Sequence, residues 1–504
     1  MGREHLKSRL GFILLSAGCA IGMGNVWKFP WMVGQNGGGA FVLIYLLFLV
    51  IMGIPVMTME FATGRASQKS MTKLYNELEP KGSKWHLHGY FSLAGNIILM
   101  MFYTVVSGWM LKYFVDTVMG KLTYEGITSA NVDAHMDNML SSPATLIIFA
   151  TVVIVLGFLV CGMGVQKGLE RVTKFMMVAL LAIIIVLAVY SITLGGAKEG
   201  LKFYLVPNLD NMKEIGIGNV IVAAMNQAFF TLSLGIGSMA IFGSYLGKDR
   251  ALMGEAVNVA VLDTFVAITS GLIIFPACFT YNVDVNAGPD LIFKTLPNVF
   301  GNLPGGRIWG SLFFLFMSFA ALSTVFAVFE NIIACVMDLT GWSRKKTCII
   351  GTFAMIALSL PCALSFNLLS GINFPFLGDG KNIMDLEDFI VSNILLPLGS
   401  LVFVLFCTLK NAWGWDNFVA EANTGKGFKV KNWMRPYFTY VLPIIVAALF
   451  IVGIIPVGQN IYKLATGNVE EPAIVEEINT ENDKELPPES VSDNSTDNEF
   501  VDKF

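Results

Sequence analysis

Charged residues are scarce in this chain of 504 residues. They make up 14% of the sequence, whereas soluble domains carry about 25%. Hydrophobic residues make up 55%, and the mean hydropathy is +0.65. So few charges cannot cover the surface of a water-soluble protein of this length. The composition therefore predicts an integral membrane protein.

Motifs of catalysis, metal binding and phosphate binding are also lacking. The four histidines show no metal-ligand spacing with one another or with cysteine, and there is no nucleophile elbow, no GxxxxGK[ST] loop and no HExxH. The seven cysteines lie in or beside apolar segments without paired spacing, so we expect packing residues and no disulfide framework. An enzyme is therefore not expected, and neither is a nucleic-acid partner.

Apolar segments of about 20 residues, the length that crosses a bilayer, are abundant. Eleven such segments, numbered here as spans 1 to 11, lie approximately at 10–33, 40–63, 89–115, 144–162, 172–194, 217–245, 254–280, 308–338, 347–369, 388–409 and 437–457. With the N-terminus in the cytoplasm, most of the 33 Lys and Arg residues fall in cytoplasmic segments, as the positive-inside rule requires. The odd number of spans then puts the C-terminus outside.

The spans divide the chain into five parts. We expect a cytoplasmic N-terminal segment at 1–9, a first five-helix repeat at 10–194, a second at 195–409, and a loop with the eleventh helix at 410–460. The last part, 468–504, is acidic and contains proline, and its composition predicts a disordered tail. No soluble domain is expected between the spans.

Glycines interrupt two of these spans. In span 1, "SAGCAIGMGNVWKFP" contains Gly18, Gly22 and Gly24, and in span 6, "FFTLSLGIGSM" contains Gly235 and Gly237. Taken alone, the glycines of span 1 equally suit a small-residue packing face between membrane helices. Because spans 1 and 6 begin the two five-span halves, the pair favours discontinuous helices at the binding site of an inverted-repeat transporter.

A broken helix in lipid frees backbone groups that need partners. Each unpaired carbonyl or amide costs several kcal/mol in hydrocarbon. The N-terminus of a half-helix attracts a carboxylate, and freed carbonyls coordinate a hard cation. A zwitterionic amino acid together with Na⁺ would satisfy both sets of groups.

The motifs of the chain resemble, in order, those of the neurotransmitter:sodium symporters, specifically their bacterial amino-acid branch. Besides the two interrupted segments, the resemblance rests on "REHLKSRLG", "GQNGGGAF", "PVMTMEFATGR", "MMFYTVVSGWM", "FAALST" and "LEDF". It implies an all-α integral membrane protein with an inverted-repeat 5+5 fold, discontinuous helices 1 and 6, and an eleventh helix. It also implies that two sodium ions bind.

The resemblance assigns ligands to both ions. The first site would consist of Ala20, Asn25, Thr231 and Asp263, with the substrate carboxylate as a further ligand. The second would consist of Gly18, Ile21, Ala320, Ser323 and Thr324. From the sequence alone, hydroxyls of a Ser-Thr pair in a membrane helix equally suit hydrogen bonds to the preceding turn.

The resemblance also implies a substrate pocket. Its residues would be Ala20, Gly22, Gly24, Leu99, Tyr103, Phe230, Thr231, Ser233, Ile236, Val325 and Val328. Relatives that carry monoamines have an aspartate at the position of Gly22, and this chain offers no carboxylate there. A neutral, hydrophobic L-amino acid is therefore the expected substrate, because it brings its own negative charge.

Carboxylates inside spans are costly and usually functional. Chloride-dependent relatives have asparagine and serine where this chain has Asp263 and Ala267, so no chloride is expected. The alternative is that Asp263 pairs with another intramembrane group. Glu60 resembles the family's carboxylate that braces the broken first helix, and Glu330 is a further buried acid without an assigned role.

Two charged pairs are expected to gate the transport path. Lys28 and Asp388 match the outer gate, where lysine replaces the usual arginine and should form a looser pair. Arg3 and Asp338 match the inner gate, for which a solvated surface pair is the simpler alternative.

The function predicted from these observations is sodium-coupled import of an amino acid by alternating access. A sodium-independent amino-acid antiporter or exchanger of the same architecture and a channel remain alternatives. The expected location is the cell membrane, which is the inner membrane in a bacterium. The expected partners are the substrate and the lipid bilayer, and the oligomeric state stays open.

Overall fold

The computed structural model describes residues 6, 8–124, 127–281, 285, 291–301 and 303–466. Regular secondary structure in this part of the chain is helical, apart from one isolated bridge between Arg250 and Lys426. Nine of the described helices are long and apolar enough to cross a membrane. They form spans 2, 3, 4, 5, 7, 8, 9, 10 and 11, at Gly39–Ser67, Leu87–Val118, Pro143–Gly162, Val165–Ile192, Leu252–Thr280, Gly306–Thr340, Arg344–Leu364, Ile383–Thr408 and Asn432–Thr466.

Spans 1 and 6 are discontinuous. Span 1 consists of the helices Arg9–Ala20 and Gly24–Gln35, whose axes differ by 56°. Span 6 consists of Ile217–Thr231 and Ser238–Gly243, each too short to cross a membrane by itself. Counted as one span, the bent pair of span 1 brings the described total to ten of the eleven expected spans, and span 6 is present as two shorter helices. The expected all-α membrane fold with interrupted helices 1 and 6 is confirmed.

Local sequence explains several helix boundaries. At the start of span 4, the Ser142 hydroxyl caps the helix and Pro143 occupies its first turn, where the missing N–H is no loss. Span 8 ends at Gly341, which has the left-handed φ of 71° that commonly terminates helices. Two residues later, Ser343 caps span 9 by accepting a hydrogen bond from the Lys346 amide.

Spans 3, 7 and 8 are the most buried of the nine continuous spans in the described part of the chain. In the most apolar segment of span 8, 78% of the residues are buried, and span 3 packs along its length. In span 11, by contrast, only 17% of the corresponding segment is buried. Span 8 is therefore a central helix that can contribute to a site, whereas span 11 presents most of its surface outward.

Candidate functional site

The break in span 1 lies between Ala20 and Met23. The first helix ends at Ala20, because Ile21 leaves helical geometry with φ −71° and ψ 95°. The Asn25 side chain bridges the break, and its Oδ1 accepts a hydrogen bond from the Gly22 amide at 3.2 Å. Tyr103 of span 3 adds a second support, because its hydroxyl accepts from the Met23 amide at 3.1 Å.

Glycine provides space in span 1, not unusual backbone angles. A Cβ atom on Gly22 would lie 2.5 Å from both the Tyr103 hydroxyl and Thr324 Oγ1. A Cβ on Gly24 would lie 3.1 Å from the Phe230 ring. Neither glycine has a positive φ. Both positions therefore allow close packing of side chains from spans 3, 6 and 8 against span 1.

The break in span 6 depends on left-handed backbone. Ser233, Gly235 and Gly237 have φ values of 51°, 95° and 72°. Glycine adopts this region at little cost, whereas a serine there is uncommon and strained. The Ser233 hydroxyl donates to the Cys19 carbonyl at 3.4 Å, so the two broken segments contact each other.

Side chains satisfy freed backbone groups of span 6. The Ile236 carbonyl accepts from Ser92 Oγ at 2.5 Å, from Asn96 Nδ2 at 2.8 Å and from Asn331 Nδ2 at 3.4 Å. The sequence reasoning missed these residues. The signal available was the presence of two asparagines inside otherwise apolar membrane spans.

Glu60 of span 2 supports the same break. Its Oε1 accepts a 2.6 Å hydrogen bond from the Gly235 amide, and the residue is fully buried. The resemblance assigned Glu60 to the broken first helix, but the observed contact is with span 6. A carboxylate suits this position because it can only accept hydrogen bonds when ionised, and the broken helix exposes amides.

Asp263 of span 7 forms the centre of the first expected ion site. The residue is fully buried. Its Oδ1 accepts from Asn25 Nδ2 at 2.8 Å, and its Oδ2 accepts from Thr231 Oγ1 at 3.2 Å. Among the described residues, no Lys, Arg or His approaches this carboxylate within 4.0 Å. A buried negative charge with only neutral donors is a suitable ligand for a cation.

Oxygen atoms also cluster at the second expected ion site. Ser323 Oγ lies 3.3 Å from the Ile21 carbonyl and 2.9 Å from that of Ala320. Thr324 Oγ1 lies within 3.5 Å of the carbonyls of Gly18, Cys19, Ile21 and Ala320. The two hydroxyls therefore contact both a carbonyl of the preceding turn of span 8 and carbonyls of span 1. Two hydroxyl protons cannot serve all these acceptors, so the surplus of oxygen suits a hard cation.

A small cavity lies between the two breaks. It is lined by Cys19, Ala20, Gly22, Gly24, Leu99, Tyr103, Phe230, Ser233, Ile236, Thr324, Val391 and Leu396. Its volume of about 20 Å³ has room for about one water molecule. A larger ligand therefore fits only after side chains such as Phe230 and Ile236 move apart.

Three expected pocket residues do not line this cavity. Thr231 contacts Asp263 instead, and Val325 faces Gly157 of span 4. Val328 is buried elsewhere in span 8. The sequence reasoning missed Val391 and Leu396 of span 10, and apolar residues in an apolar span carry no signal that could have identified them.

A wider cavity of about 270 Å³ adjoins the small one on the predicted outer side. Tyr103 and Phe230 line both cavities and separate them. The remaining lining residues are Met23, Trp27, Lys28, Trp31, Phe102, Val106, Lys381, Met384, Asp385 and Asp388.

The two members of the expected outer gate do not form an ion pair in this structure. Lys28 Nζ lies over the Phe230 ring, 3.8 Å from its centroid. Asp388 instead accepts a 2.7 Å hydrogen bond from the Ser392 hydroxyl. Both residues line the wider cavity.

The expected inner gate cannot be compared in full, because Arg3 lies outside the described residues. Its partner Asp338 accepts a 2.9 Å hydrogen bond from the Ser70 amide. The acidic tail at 468–504 also lies outside the described residues.

Glu330 has a clear structural role on the same side of the molecule. Its oxygens accept from Arg344 at 2.6 and 2.8 Å, and from the Tyr245 hydroxyl at 2.7 Å. Arg344 also donates to the Cys161 carbonyl at 3.1 Å. The cluster joins spans 4, 8 and 9 to the end of span 6.

The order of helices and the motifs of this chain match those of a known family of membrane transporters. The sequence model of the sodium:neurotransmitter symporter family matches residues 3–146 and 133–466. The chain belongs to this family. As a member, it is a sodium-dependent, multi-pass membrane transporter and not an enzyme, which confirms the class and the resemblance found in the sequence.

Relatives of this symporter match it over most of their length. The uncharacterized sodium-dependent transporter YhdH of Bacillus subtilis is 36% identical over 452 residues, covering 89% of this chain and 97% of that protein. The sodium- and chloride-dependent taurine transporter of Rattus norvegicus is 26% identical, covering 90% and 78%. The crystal structure of MhsT in complex with L-phenylalanine matches with a TM-score of 0.80 at 36% identity, covering 90% of this chain and all of that one.

Proposed function

We propose that this symporter imports a neutral, apolar L-amino acid together with two sodium ions, without chloride, by alternating access. One observation carries the proposal. The Asp263 carboxylate is buried between Asn25 and Thr231 with no cationic side chain within 4.0 Å among the described residues. Such a group needs a positive charge in a medium of low dielectric constant, and Na⁺ supplies it.

The pocket walls support the substrate class. Gly22 offers no carboxylate to an amine, and Leu99, Ile236, Val391 and Leu396 provide an apolar wall. The Tyr103 hydroxyl, which accepts from the Met23 amide, can donate its own proton to a substrate carboxylate. That the solved structure of MhsT contains L-phenylalanine is consistent with this class.

Charge balance supports chloride independence. Two sodium ions and one substrate carboxylate leave an excess positive charge, and Asp263 offsets it. Ala267, one helical turn further along span 7, has no hydroxyl to bind an anion. A bound chloride would therefore add a second negative charge where one is already fixed.

The outer cavity, lined by both members of the expected outer gate, supports alternating access. We infer that Lys28 leaves the Phe230 ring and approaches Asp388 when substrate and sodium bind, which closes the outer path. Arg3 and the first half-helix would then release on the cytoplasmic side. In the proposed orientation, the N-terminus lies inside and the C-terminus outside. The two repeats, at 10–194 and 195–409, would move relative to each other around the site.

Uptake into proteoliposomes tests the proposal. With a panel of labelled amino acids and monoamines, we expect saturable, uphill uptake of apolar amino acids that requires an inward Na⁺ gradient and continues when gluconate replaces chloride. Uptake that persists without sodium would indicate the exchanger instead. Loss of uptake in gluconate would contradict chloride independence, and uptake of monoamines alone would contradict the substrate class.

A further inference from the structure

A second apolar cavity, here called the span 3–10 groove, opens on the lateral surface of the bundle. It has a volume of about 260 Å³ and lies between spans 3 and 10. Phe91 and Leu398 line it with exposed side chains, at 63% and 40% of their surface. On a membrane-spanning helix, exposed apolar side chains face the acyl chains of lipids. The groove is therefore accessible from the bilayer.

One end of the groove is cationic. Lys84, which lies just before span 3, lines it together with Trp85 and His88. Lys84 is exposed, and it has no ion-pair partner within 4.0 Å among the described residues. None of the lining residues is acidic. An apolar groove that ends at an unpaired ammonium group and a tryptophan suits a ligand with an acyl chain and an anionic head group.

The other end of the groove reaches the break in span 6. Gly235 and Ile236 line it there, and Ile236 also lines the small cavity between the broken helices. Ser92, which holds the Ile236 carbonyl, lines the groove as well. Ile236 therefore lies between the lipid-facing groove and the candidate substrate cavity, and a molecule that fills the groove would contact this shared wall.

We propose that the span 3–10 groove binds one acyl chain of an anionic phospholipid, with its phosphate at Lys84, and that this lipid increases the affinity for the transported amino acid. Anionic lipids are concentrated in the cytoplasmic leaflet, which is where the predicted orientation puts Lys84. The lipid site stands on the groove itself. Its effect on substrate affinity rests on the proposed function.

Native mass spectrometry of the full chain, with equal amounts of phosphatidylglycerol and phosphatidylcholine, tests the site. We expect wild-type protein to retain one phosphatidylglycerol in preference, and Lys84→Gln to lower that retention about fivefold. Leu398→Trp should reduce retention further by filling the groove. Matched controls are Lys81→Gln in the same loop and Leu358→Trp of span 9, which is 41% exposed; neither should change retention.

Two results would overturn the lipid site. One is equal retention of both lipids by the wild type, and the other is identical retention by Leu398→Trp and Leu358→Trp. If Leu398→Trp does not fold, the comparison of Lys84→Gln with Lys81→Gln decides alone. Retention is measured without amino acid, so it is independent of the proposed transport activity.

Equilibrium binding of labelled L-phenylalanine and L-leucine in nanodiscs tests the coupling. We expect a Kd several times lower when the nanodiscs contain phosphatidylglycerol, and no such difference in Leu398→Trp. An equal Kd in both lipids for the wild type would overturn the coupling. If neither amino acid binds in nanodiscs of either composition, the proposed substrate class is contradicted and the coupling is overturned for these amino acids. The result of the lipid-retention test does not depend on this outcome.

Discussion

At the scale of single residues, the most informative position is Asp263. Its carboxylate contacts two neutral side chains of the first expected ion site, Asn25 and Thr231. The alternative was that Asp263 pairs with an intramembrane group unrelated to sodium. The contacts argue against it, because Asn25 and Thr231 also carry oxygen atoms that can bind a cation. The position therefore combines a fixed charge with a ligand set.

Replacing Asp263 by asparagine keeps the size of the side chain and removes its charge. We expect the sodium affinity to fall at least tenfold, because a charge pair at about 4 Å is worth about 4 kcal/mol even at an effective dielectric constant of about 20. Sodium titration of amino-acid binding measures the effect. Glu255→Gln is the control, because that carboxylate lies on the same span but pairs with Arg9. Equal sodium affinity in Asp263→Asn and wild type would contradict the assignment.

Tyr103 is the second informative residue. Tyr103→Phe removes the hydroxyl that contacts the Met23 amide and that we propose to bind the substrate carboxylate. A hydrogen bond to a charged group contributes about 1.5–3 kcal/mol, so we expect the Kd for the amino acid to rise by about 10- to 100-fold.

Equilibrium binding measures this change. Tyr113→Phe is a matched control, since Tyr113 is buried in the same span and its hydroxyl donates to the sulfur of Met136, away from the small cavity. If both variants weaken binding equally, the effect of Tyr103→Phe would be structural and not specific to the carboxylate.

At the scale of elements, the two interruptions are built differently. In span 1, glycines leave space for side chains from spans 3, 6 and 8. In span 6, three residues have left-handed backbone, Glu60 accepts from the freed Gly235 amide, and Ser92 and Asn96 donate to the freed Ile236 carbonyl. Part of the backbone that was expected to need an ion or a ligand is therefore stabilised by the protein itself.

Gly235→Ala tests the break in span 6. Its φ of 95° disfavours alanine, and the new Cβ would clash with the Leu396 carbonyl oxygen. We expect a melting temperature in detergent several degrees lower, together with loss of amino-acid binding. Gly218→Ala in the same span is the control, since nothing lies within 4 Å of a Cβ there. A Gly235→Ala protein as stable as Gly218→Ala would contradict the observed backbone.

At the scale of the whole molecule, a buried cluster connects separate spans. Glu330 of span 8 pairs with Arg344 of span 9 and with Tyr245 at the end of span 6. Because Arg344 also binds a carbonyl of span 4, the cluster ties together helices from both predicted repeats. We expect it to keep the cytoplasmic side closed, because Glu330 lies on the same helix as the expected inner-gate residue Asp338.

Neutralising one member of this pair should destabilise the protein. Glu330→Gln leaves the partly buried Arg344 charge without its partner. Loss of one partner of a fully buried pair costs about 3–5 kcal/mol, and we expect a smaller loss here because Arg344 is 19% exposed. We expect a lower melting temperature in detergent. The double variant Glu330→Gln with Arg344→Gln should recover part of the loss, because no unpaired charge remains. A double variant less stable than Glu330→Gln would contradict this interpretation.

Much of the architecture could be predicted from sequence. Apolar length located nine continuous spans, and the glycine motifs located both interruptions. The predicted ends of the spans were less accurate. Span 5 begins at Val165 and not near 172, and span 11 continues to Thr466 and not only to 457. Apolar character alone does not mark where a helix stops, because helices extend beyond the hydrocarbon region.

The sequence by itself determined that this protein is a membrane transporter, because long apolar segments that contain clustered glycines and carboxylates are typical of helices that line a transport path. Only the tertiary structure decided which side chains satisfy the broken helices, that Glu60 supports span 6, and that Val391 and Leu396 line the cavity. It also decided that Lys28 lies over Phe230 and not at Asp388. These contacts join residues far apart in the chain, and the packing of helices brings them together, not any local pattern.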